Sequence, residues 1–197
     1  MSKYYKTINI PTDFFSPEEV EKELAEIVKV SNNPAGRQVR HWNWGQSPFN
    51  AEAYRWIESL GLKIGLAEVF YSMPGGTLPW HDDGEEADNV KFNFVWGSTN
   101  HLMYFGELAD TNTPVHRIKN RSGTYVTPYK EIDLTNIESV KVVKPIIFNG
   151  NIPHQVTNFD NTPRWCLSMI LWKDGQRLKW RDSLDIFKDY INESAVS

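Results

Sequence analysis

His81, Asp83, His154 and Arg164 are the residues of this chain whose types and spacing can do chemistry. The first two stand in Trp80-His81-Asp82-Asp83-Gly84 and the third in Pro153-His154-Gln155-Val156-Thr157, with the arginine ten residues further on. Two imidazoles and a carboxylate have the ligand types of a facial metal triad, which grips a cation on one side and leaves the other positions open. Open positions can take a co-substrate and oxygen, so the pattern points to redox chemistry and away from a sealed structural site.

Strand geometry selects between the two aspartates. Side chains alternate faces with period two, so on a strand over 78–83 His81 and Asp83 point one way and Asp82 the other. Asp83 is therefore the ligand candidate and Asp82 a bystander or a partner behind the ligands. Imidazole with carboxylate suits Fe(II), and the same donors hold Zn(II), Mn(II) or Co(II). His-x-Asp alone is a weak pattern, and polar residues near strand ends are the competing explanation. The arginine adds weight. On a strand over 164–172, Arg164, Cys166 and Ser168 share one face and Trp165, Leu167 and Met169 the other. An arginine pointing into a barrel is costly unless it meets an anion, and its planar fork matches a carboxylate. A small dicarboxylate can thus chelate the metal at one end and pair with Arg164 at the other. The competing explanation is a surface arginine after the Thr162-Pro163 turn.

The elements that must position these residues follow from pattern. Ser16-Pro17-Glu18-Glu19 is a capping box with proline at the first helical position. Val20, Leu24, Ile27 and Val28 continue one helical face, and Asn32-Asn33-Pro34 stops it. A second helix runs from Asn50 through Ala53, Trp56, Ile57 and Leu60 to Gly61. From residue 64 the texture predicts strands at 66–73, 78–83, 90–96, 101–107, 123–127, 139–143, 145–149, 153–158 and 164–172. A last amphipathic helix carries Leu184, Phe187 and Ile191. Many short strands with flanking helices predict a mainly β fold, a double-sheet jelly roll with helical support on one side. The expected organisation is one domain, 1–197: helical support over 1–63, a β core over 64–173 and a C-terminal helix over 174–197. The segment 108–122 reads as a surface loop.

Composition sets the outer bounds. The 197 residues, 40% hydrophobic and 13% aromatic, suffice for one domain with a substantial core. A net charge of −4 argues against a nucleic-acid partner. The single cysteine, Cys166, excludes an intramolecular disulfide and suits a reducing compartment. MSKYYKTINI lacks the apolar run of a signal peptide and no stretch has the length of a membrane span, so a cytoplasmic setting without membrane contact is expected.

Together these residues resemble the iron(II)- and 2-oxoglutarate-dependent dioxygenases. The resemblance rests on His81-x-Asp83, His154 and Arg164, and on three stretches. These are Met73-Pro74-Gly75-Gly76-Thr77-Leu78-Pro79-Trp80, the run Ile147–Asn158 around the last histidine, and Asn161-Thr162-Pro163-Arg164-Trp165-Cys166-Leu167-Ser168. It covers roughly residues 64–173. The nearest branch is the aspartyl/asparaginyl β-hydroxylase and prolyl-hydroxylase-like group, which includes small phage and bacterial members. It implies a double-stranded β-helix of cupin-like form holding Fe(II) through His81, Asp83 and His154. It also implies that Arg164 binds the tail carboxylate of 2-oxoglutarate. Oxygen then converts 2-oxoglutarate to succinate and carbon dioxide, and a C–H bond of a protein side chain, a free amino acid or another small molecule is hydroxylated. Asn93 resembles the strand asparagine that relatives place near the co-substrate. Tyr71 and Tyr104 are candidate hydroxyl donors to its carboxylates, with Ser168 and Thr157 as weaker ones. Two other readings stay open: a cupin-like metalloenzyme that does not use 2-oxoglutarate, and a non-catalytic jelly-roll binding module. Arg40-His41-Trp42-Asn43-Trp44 reads as a segment crossing a sheet edge or lining an entrance. His101 and His116 read as ordinary histidines.

Overall fold

The alternation along 90–96 and 164–172 becomes the division between the two faces of one sheet. The computed structural model describes residues 2–29, 37–43, 48–84, 88–112, 116–119 and 125–192, with the backbone alone for residue 29 and for 37–43. The chain begins with β1 (Tyr5–Thr7), α1 (Pro17–Lys29), β2 (Arg37–Asn43) and α2 (Ala51–Ser59). Then come β3 (Lys63–Ser72), β4 (Thr77–Asp82), β5 (Val90–Gly97), β6 (His101–Leu108), β7 (Ile118–Lys119) and β8 (Tyr125–Pro128). The remainder is β9 (Leu134–Val140), β10 (Ile146–Asn149), β11 (His154–Asn158), β12 (Arg164–Lys173), β13 (Gln176–Arg177) and α3 (Trp180–Ile186).

These strands form two antiparallel sheets. The larger has the order β1-β10-β5-β12-β3-β2, with β13 paired to β12, and the smaller has the order β7-β8-β4-β11-β6-β9. Successive core strands cross from sheet to sheet: β3, β5, β10 and β12 lie in the larger, and β4, β6 and β11 in the smaller. That winding is a double-stranded β-helix, the jelly-roll form expected from the strand pattern.

The helices cover the outer face of the larger sheet. Phe92, Phe94, Trp165, Leu167 and Met169 face Phe14, Val20, Leu24, Trp56, Ile57 and Phe187 in one buried cluster. Each large apolar side chain buried there stabilises by about 1.5–3 kcal/mol, so this layer supplies much of the fold's stability. It leaves the inner face free to carry polar groups. Lys91, Asn93, Glu68, Arg164 and Ser168 are all buried. A smaller cluster between the sheets, including Met103, Phe105, Ile146, Phe148 and Val156, closes the barrel.

Local signals hold at the helix ends. Ser16 Oγ accepts from Glu19 N at 3.3 Å, one half of the expected box. Asn50 Oδ1 accepts from Ala53 N at 2.8 Å, and Gly61 ends the segment with φ +71. Ile27, expected on the buried face, is 40% exposed. The Asn32-Asn33-Pro34 stop lies outside the described residues.

Some elements differ from expectation. The stretch before residue 64 is not only helical: β1 and β2 are edge strands of the larger sheet. Arg40-His41-Trp42-Asn43 lies in β2, at the sheet edge, while Trp44 is outside the described residues. The strand expected at 139–143 runs instead over Leu134–Val140, and its mostly exposed LTNIESV gives no period-two apolar signal. The 108–122 loop contains β7, which pairs with β8. The last helix is shorter than its pattern, passing at Phe187 into a single 3₁₀ turn over Lys188–Tyr190. Among the described residues, no helix is long and apolar enough to cross a membrane.

Candidate metal centre

β4 and β11 are neighbours in the smaller sheet, and their register makes His81 and His154 Cα partners. The two rings lie 4.4 Å apart between centroids. Asp83 sits one residue past the end of β4, where its backbone N–H donates to Gly150 O at 2.8 Å. That bond turns the carboxylate back onto the imidazoles. Oδ1 is 3.8 Å from His81 Nε2, and Oδ2 is 3.5 Å from His154 Nε2. One ligand atom from each residue falls within 4.8 Å of the others, the one such grouping among the described residues. A first-row cation prefers about 2.0–2.2 Å to each atom, so small side-chain shifts would close the set around it.

Both rings are held in the tautomer that ligation needs. His81 Nδ1 lies 2.7 Å from Pro79 O, and His154 Nδ1 lies 2.9 Å from Ile152 O. A carbonyl only accepts, so Nδ1 carries the hydrogen and the Nε2 lone pair faces the site. Phe148 packs edge-on against His154 at 5.0 Å and fixes its plane. Burial, helped by His81, lowers the His154 pKa to about 4. Burial works against the Asp83 carboxylate, yet Lys91, His154 and His81 outweigh it and bring its pKa down to about 2. Near neutral pH His154 is thus a neutral imidazole and Asp83 an ionised carboxylate, the protonation states a cation requires of them.

The pattern did not single out two further charged groups here. Lys91 Nζ lies 3.7 Å from Asp83 Oδ2, in the connection that leads into its own strand, and 3.5 Å from Glu68 Oε2 on β3. Burial disfavours the ammonium, but Asp83 and Glu68 more than offset it and raise the Lys91 pKa. Lys91 shares its strand face with Asn93, two residues on, and the folded sheet, with β12 between β5 and β3, brings it to Glu68.

Arg164 closes the other end of the same pocket. It is 3% exposed, and its Nε and Nη2 have no hydrogen-bond partner. Burial lowers its pKa, and the nearby Cys166 offsets this only in part. Asn93, whose Oδ1 also lacks a partner, lines the pocket together with Ser168 and Cys166. Leu78, Phe70, Met103, Phe148 and Val156 form its apolar walls. The cavity measures about 40 Å³, room for a few waters, so a larger acid enters only as wall side chains move aside.

The remaining candidates are elsewhere. Tyr71 pairs with Trp165, and their rings meet edge to face at 4.7 Å on the helix-covered side. Tyr104 pairs with Gln155 and approaches Trp80 at 6.3 Å, on the side of the smaller sheet away from His154. Thr157 Oγ1 bonds Thr77 Oγ1 on that same outer side. All three fail to reach the pocket for one reason: each neighbours an inward residue on its strand, and adjacent residues point oppositely. Asp82 points away too, accepting from Tyr129 Oη at 2.6 Å and from Gly84 N at 3.1 Å. His101 is buried, with both ring nitrogens near backbone carbonyls, Ser98 O at 3.1 Å and Val142 O at 3.2 Å. His116 is exposed. Larger clefts of about 660 Å³ beside the start of α1 and about 530 Å³ beside Trp172 bring no histidines together, so chemistry and not volume marks the site.

No protein-family model matches the chain, and no curated protein matches it. Solved structures do. A cupin 2 domain-containing protein from Halorhodospira halophila matches with 11% identity over 81% of this chain and 81% of the other, TM-score 0.35. E. coli ycfD matches with 14% identity over 99% of this chain and 58% of the other, TM-score 0.42. A protein with a double-stranded β-helix domain from Klebsiella pneumoniae matches with 13% identity over 85% of this chain and 96% of the other, TM-score 0.36. These likenesses concern the fold, and no part of the site's assignment rests on them.

Proposed function

We propose that this protein is an Fe(II)- and 2-oxoglutarate-dependent oxygenase that hydroxylates a C–H bond of a protein side chain or small molecule. One observation carries the reading. A buried guanidinium with two unpartnered nitrogens shares a narrow pocket with a His-Asp-His set whose ligand atoms converge. Either feature alone is ambiguous. An unpaired buried arginine is costly, and an anion is its natural partner. An anion that also reaches a cation at the far end is an acid with two binding ends.

His81, Asp83 and His154 would hold Fe(II) through Nε2, one carboxylate oxygen and Nε2. The iron, once bound with 2-oxoglutarate, supplies oxygen activation coupled to release of succinate and carbon dioxide. The protein's part is placement. Arg164 pairs with the distal carboxylate and sets the acid's depth in the barrel. Asn93 and Ser168 offer polar contacts along its length. Leu78, Phe70, Met103, Phe148 and Val156 exclude water from the path between the ends. Met103, flexible and unbranched, is the wall residue best suited to move as the acid enters.

The test is anaerobic absorption spectroscopy of Fe(II)-loaded protein with 2-oxoglutarate. A visible metal-to-ligand charge-transfer band is expected, with succinate formed when oxygen is admitted. Absence of both overturns the reading. The 40 Å³ cavity favours one other reading, a cupin-like metalloenzyme acting directly on a smaller acid held by Arg164. Metal-dependent turnover unaffected by 2-oxoglutarate would establish that instead.

A further inference from the structure

His101 shares the inner face of β6 with Met103, a wall residue of the pocket. Two connections place it at the Arg164 end. Gly97 pairs with Arg164 across the sheet, and the carbonyl of the next residue, Ser98, lies against His101 Nδ1. Asn158, the partner of His101 on β11, donates to Thr162 O at 2.9 Å, two residues before Arg164. The ring is buried.

This ring has one proton too few for its surroundings. Nδ1 lies 3.1 Å from Ser98 O, and Nε2 lies 3.2 Å from Val142 O. A carbonyl only accepts, and a neutral imidazole has a single N–H. In the neutral form one lone pair therefore faces an acceptor, whereas an imidazolium would donate to both. His81 and His154 are different, each with its carbonyl at Nδ1 alone. Burial holds the second proton off His101, and so does the positive charge of Arg164 on β12, with a smaller share from Lys141 after β9. The β11 neighbour, Asn158, is uncharged. Burial persists when an anion enters the pocket; the unopposed charge of Arg164 does not.

We infer that His101 takes up a proton when an acid binds at Arg164, and so becomes a second cationic residue of the acid-binding end. At whatever distance the guanidinium acts on the ring, a carboxylate paired with it acts with the opposite sign. The proton passes from a buffer acid to the ring nitrogen whose lone pair faces a carbonyl, and no bond within the bound acid changes. Linkage makes the effect mutual: the proton favours the anion as much as the anion favours the proton. Affinity for the acid should then rise as pH falls from 7.5 towards 6, the range in which a histidine freed of opposing charge titrates.

The inference rests on the acid-binding role of Arg164 proposed above, and the experiment separates the two. Wild type and His101→Gln are titrated calorimetrically under argon at about pH 6 and 7.5, in buffers of different ionisation enthalpy. Mn(II)-loaded protein receives 2-oxoglutarate, and metal-free protein receives succinate. The dependence of heat on buffer counts the protons taken up. Wild type is expected to gain roughly half a proton at pH 6 and less at 7.5, and to bind about threefold more tightly at the lower pH. His101→Gln should show neither effect. Nitrogen-15 histidine spectra of the Zn(II)-loaded wild type give a second measure, and they decide if the variant does not fold. Adding 2-oxoglutarate should turn one ring with a single protected N–H into a ring with two. No proton uptake in wild type overturns the inference, as does equal uptake in His101→Gln. So does a doubly protonated ring that is present before the acid or absent after it. Binding of succinate without 2-oxoglutarate overturns the proposed function and leaves the proton count with succinate to decide this inference. Binding of neither acid overturns both.

Discussion

Asp82 and Asp83 adjoin in the chain and serve opposite sides of the smaller sheet. Asp82 accepts the Tyr129 hydroxyl at 2.6 Å, while Asp83 faces His154 Nε2 at 3.5 Å. Their substitution should therefore separate stability from binding. Asp83→Ala is expected to abolish Mn(II) or Fe(II) binding. Asp82→Ala should keep the metal and lose about 1 kcal/mol of stability, since a half-buried phenol is left without its acceptor. Metal titration and denaturant melts on both variants check this; metal lost with Asp82 and kept without Asp83 would refute the assignment.

Arg164 makes a prediction in two directions. With the co-substrate, Arg164→Met removes the anion's partner and should cost about 3–5 kcal/mol of 2-oxoglutarate affinity, with metal affinity little changed. Without ligand, the same change removes a buried charge that lacks partners at two nitrogens. The ligand-free variant should then melt at or above the wild-type temperature. Equal 2-oxoglutarate affinity in the two proteins would remove Arg164 from its role.

Acid should unfold the metal-free protein early. Burial and Arg164 lower the His101 pKa from 6.5 to about 4, and burial and His81 do the same for His154. The unfolded chain therefore takes up these protons first. Stability present at pH 7 is lost as pH falls from about 6.5 towards 4, by up to about 1.4 kcal/mol per pH unit for each histidine. His101→Gln should roughly halve that slope. Denaturant melts between pH 7 and 4.5 measure it, and a flat profile would contradict the burial of both rings.

Gly97 guards the approach to Arg164. It pairs with Arg164 across the sheet, has φ +88, and a Cβ there would lie 2.5 Å from Pro163 O. Alanine at such a φ costs about 1–2 kcal/mol before any clash. Gly97→Ala is expected to exceed that loss and to weaken 2-oxoglutarate more than metal, because Pro163 must shift and carry Arg164 with it. Melts and calorimetry together would show both effects.

Part of the candidate metal site was legible from alternation within single strands, while the meeting of His154 with His81 depends on the β4–β11 pairing. His81-x-Asp83 and Arg164-x-Cys166-x-Ser168 each place their members on one face without knowledge of neighbours. Tyr71 and Tyr104 show where that stops. Tyr71 belongs with Trp165 and Tyr104 with Gln155, and those pairings are set by registers between strands far apart in sequence. The Glu68–Lys91–Asp83 chain was hidden for the same reason. β1 escaped notice, and the strand expected at 139–143 was placed too late, because edge strands bury too little to show a period, β9 exposing Thr135, Asn136 and Ile137. The inward-facing Arg164 suggested a small dicarboxylate and the resemblance named it 2-oxoglutarate; the two unpartnered nitrogens of Arg164 bear on the first of these and not on the second.

The pairing of His81 with His154 across the β4–β11 ladder carries a consequence for how the molecule comes apart. A cation held by both rings would be a clasp between strands that meet only in the folded chain, closing a long loop much as a cross-link does. Among the described residues, α1, α2 and α3 all pack on the larger sheet and none of them on the smaller. Removing the ion with a chelator should thus loosen one half of the barrel ahead of the other. Hydrogen exchange would then quicken first at β4 and β11 amides, with those of β5 and β12 still protected.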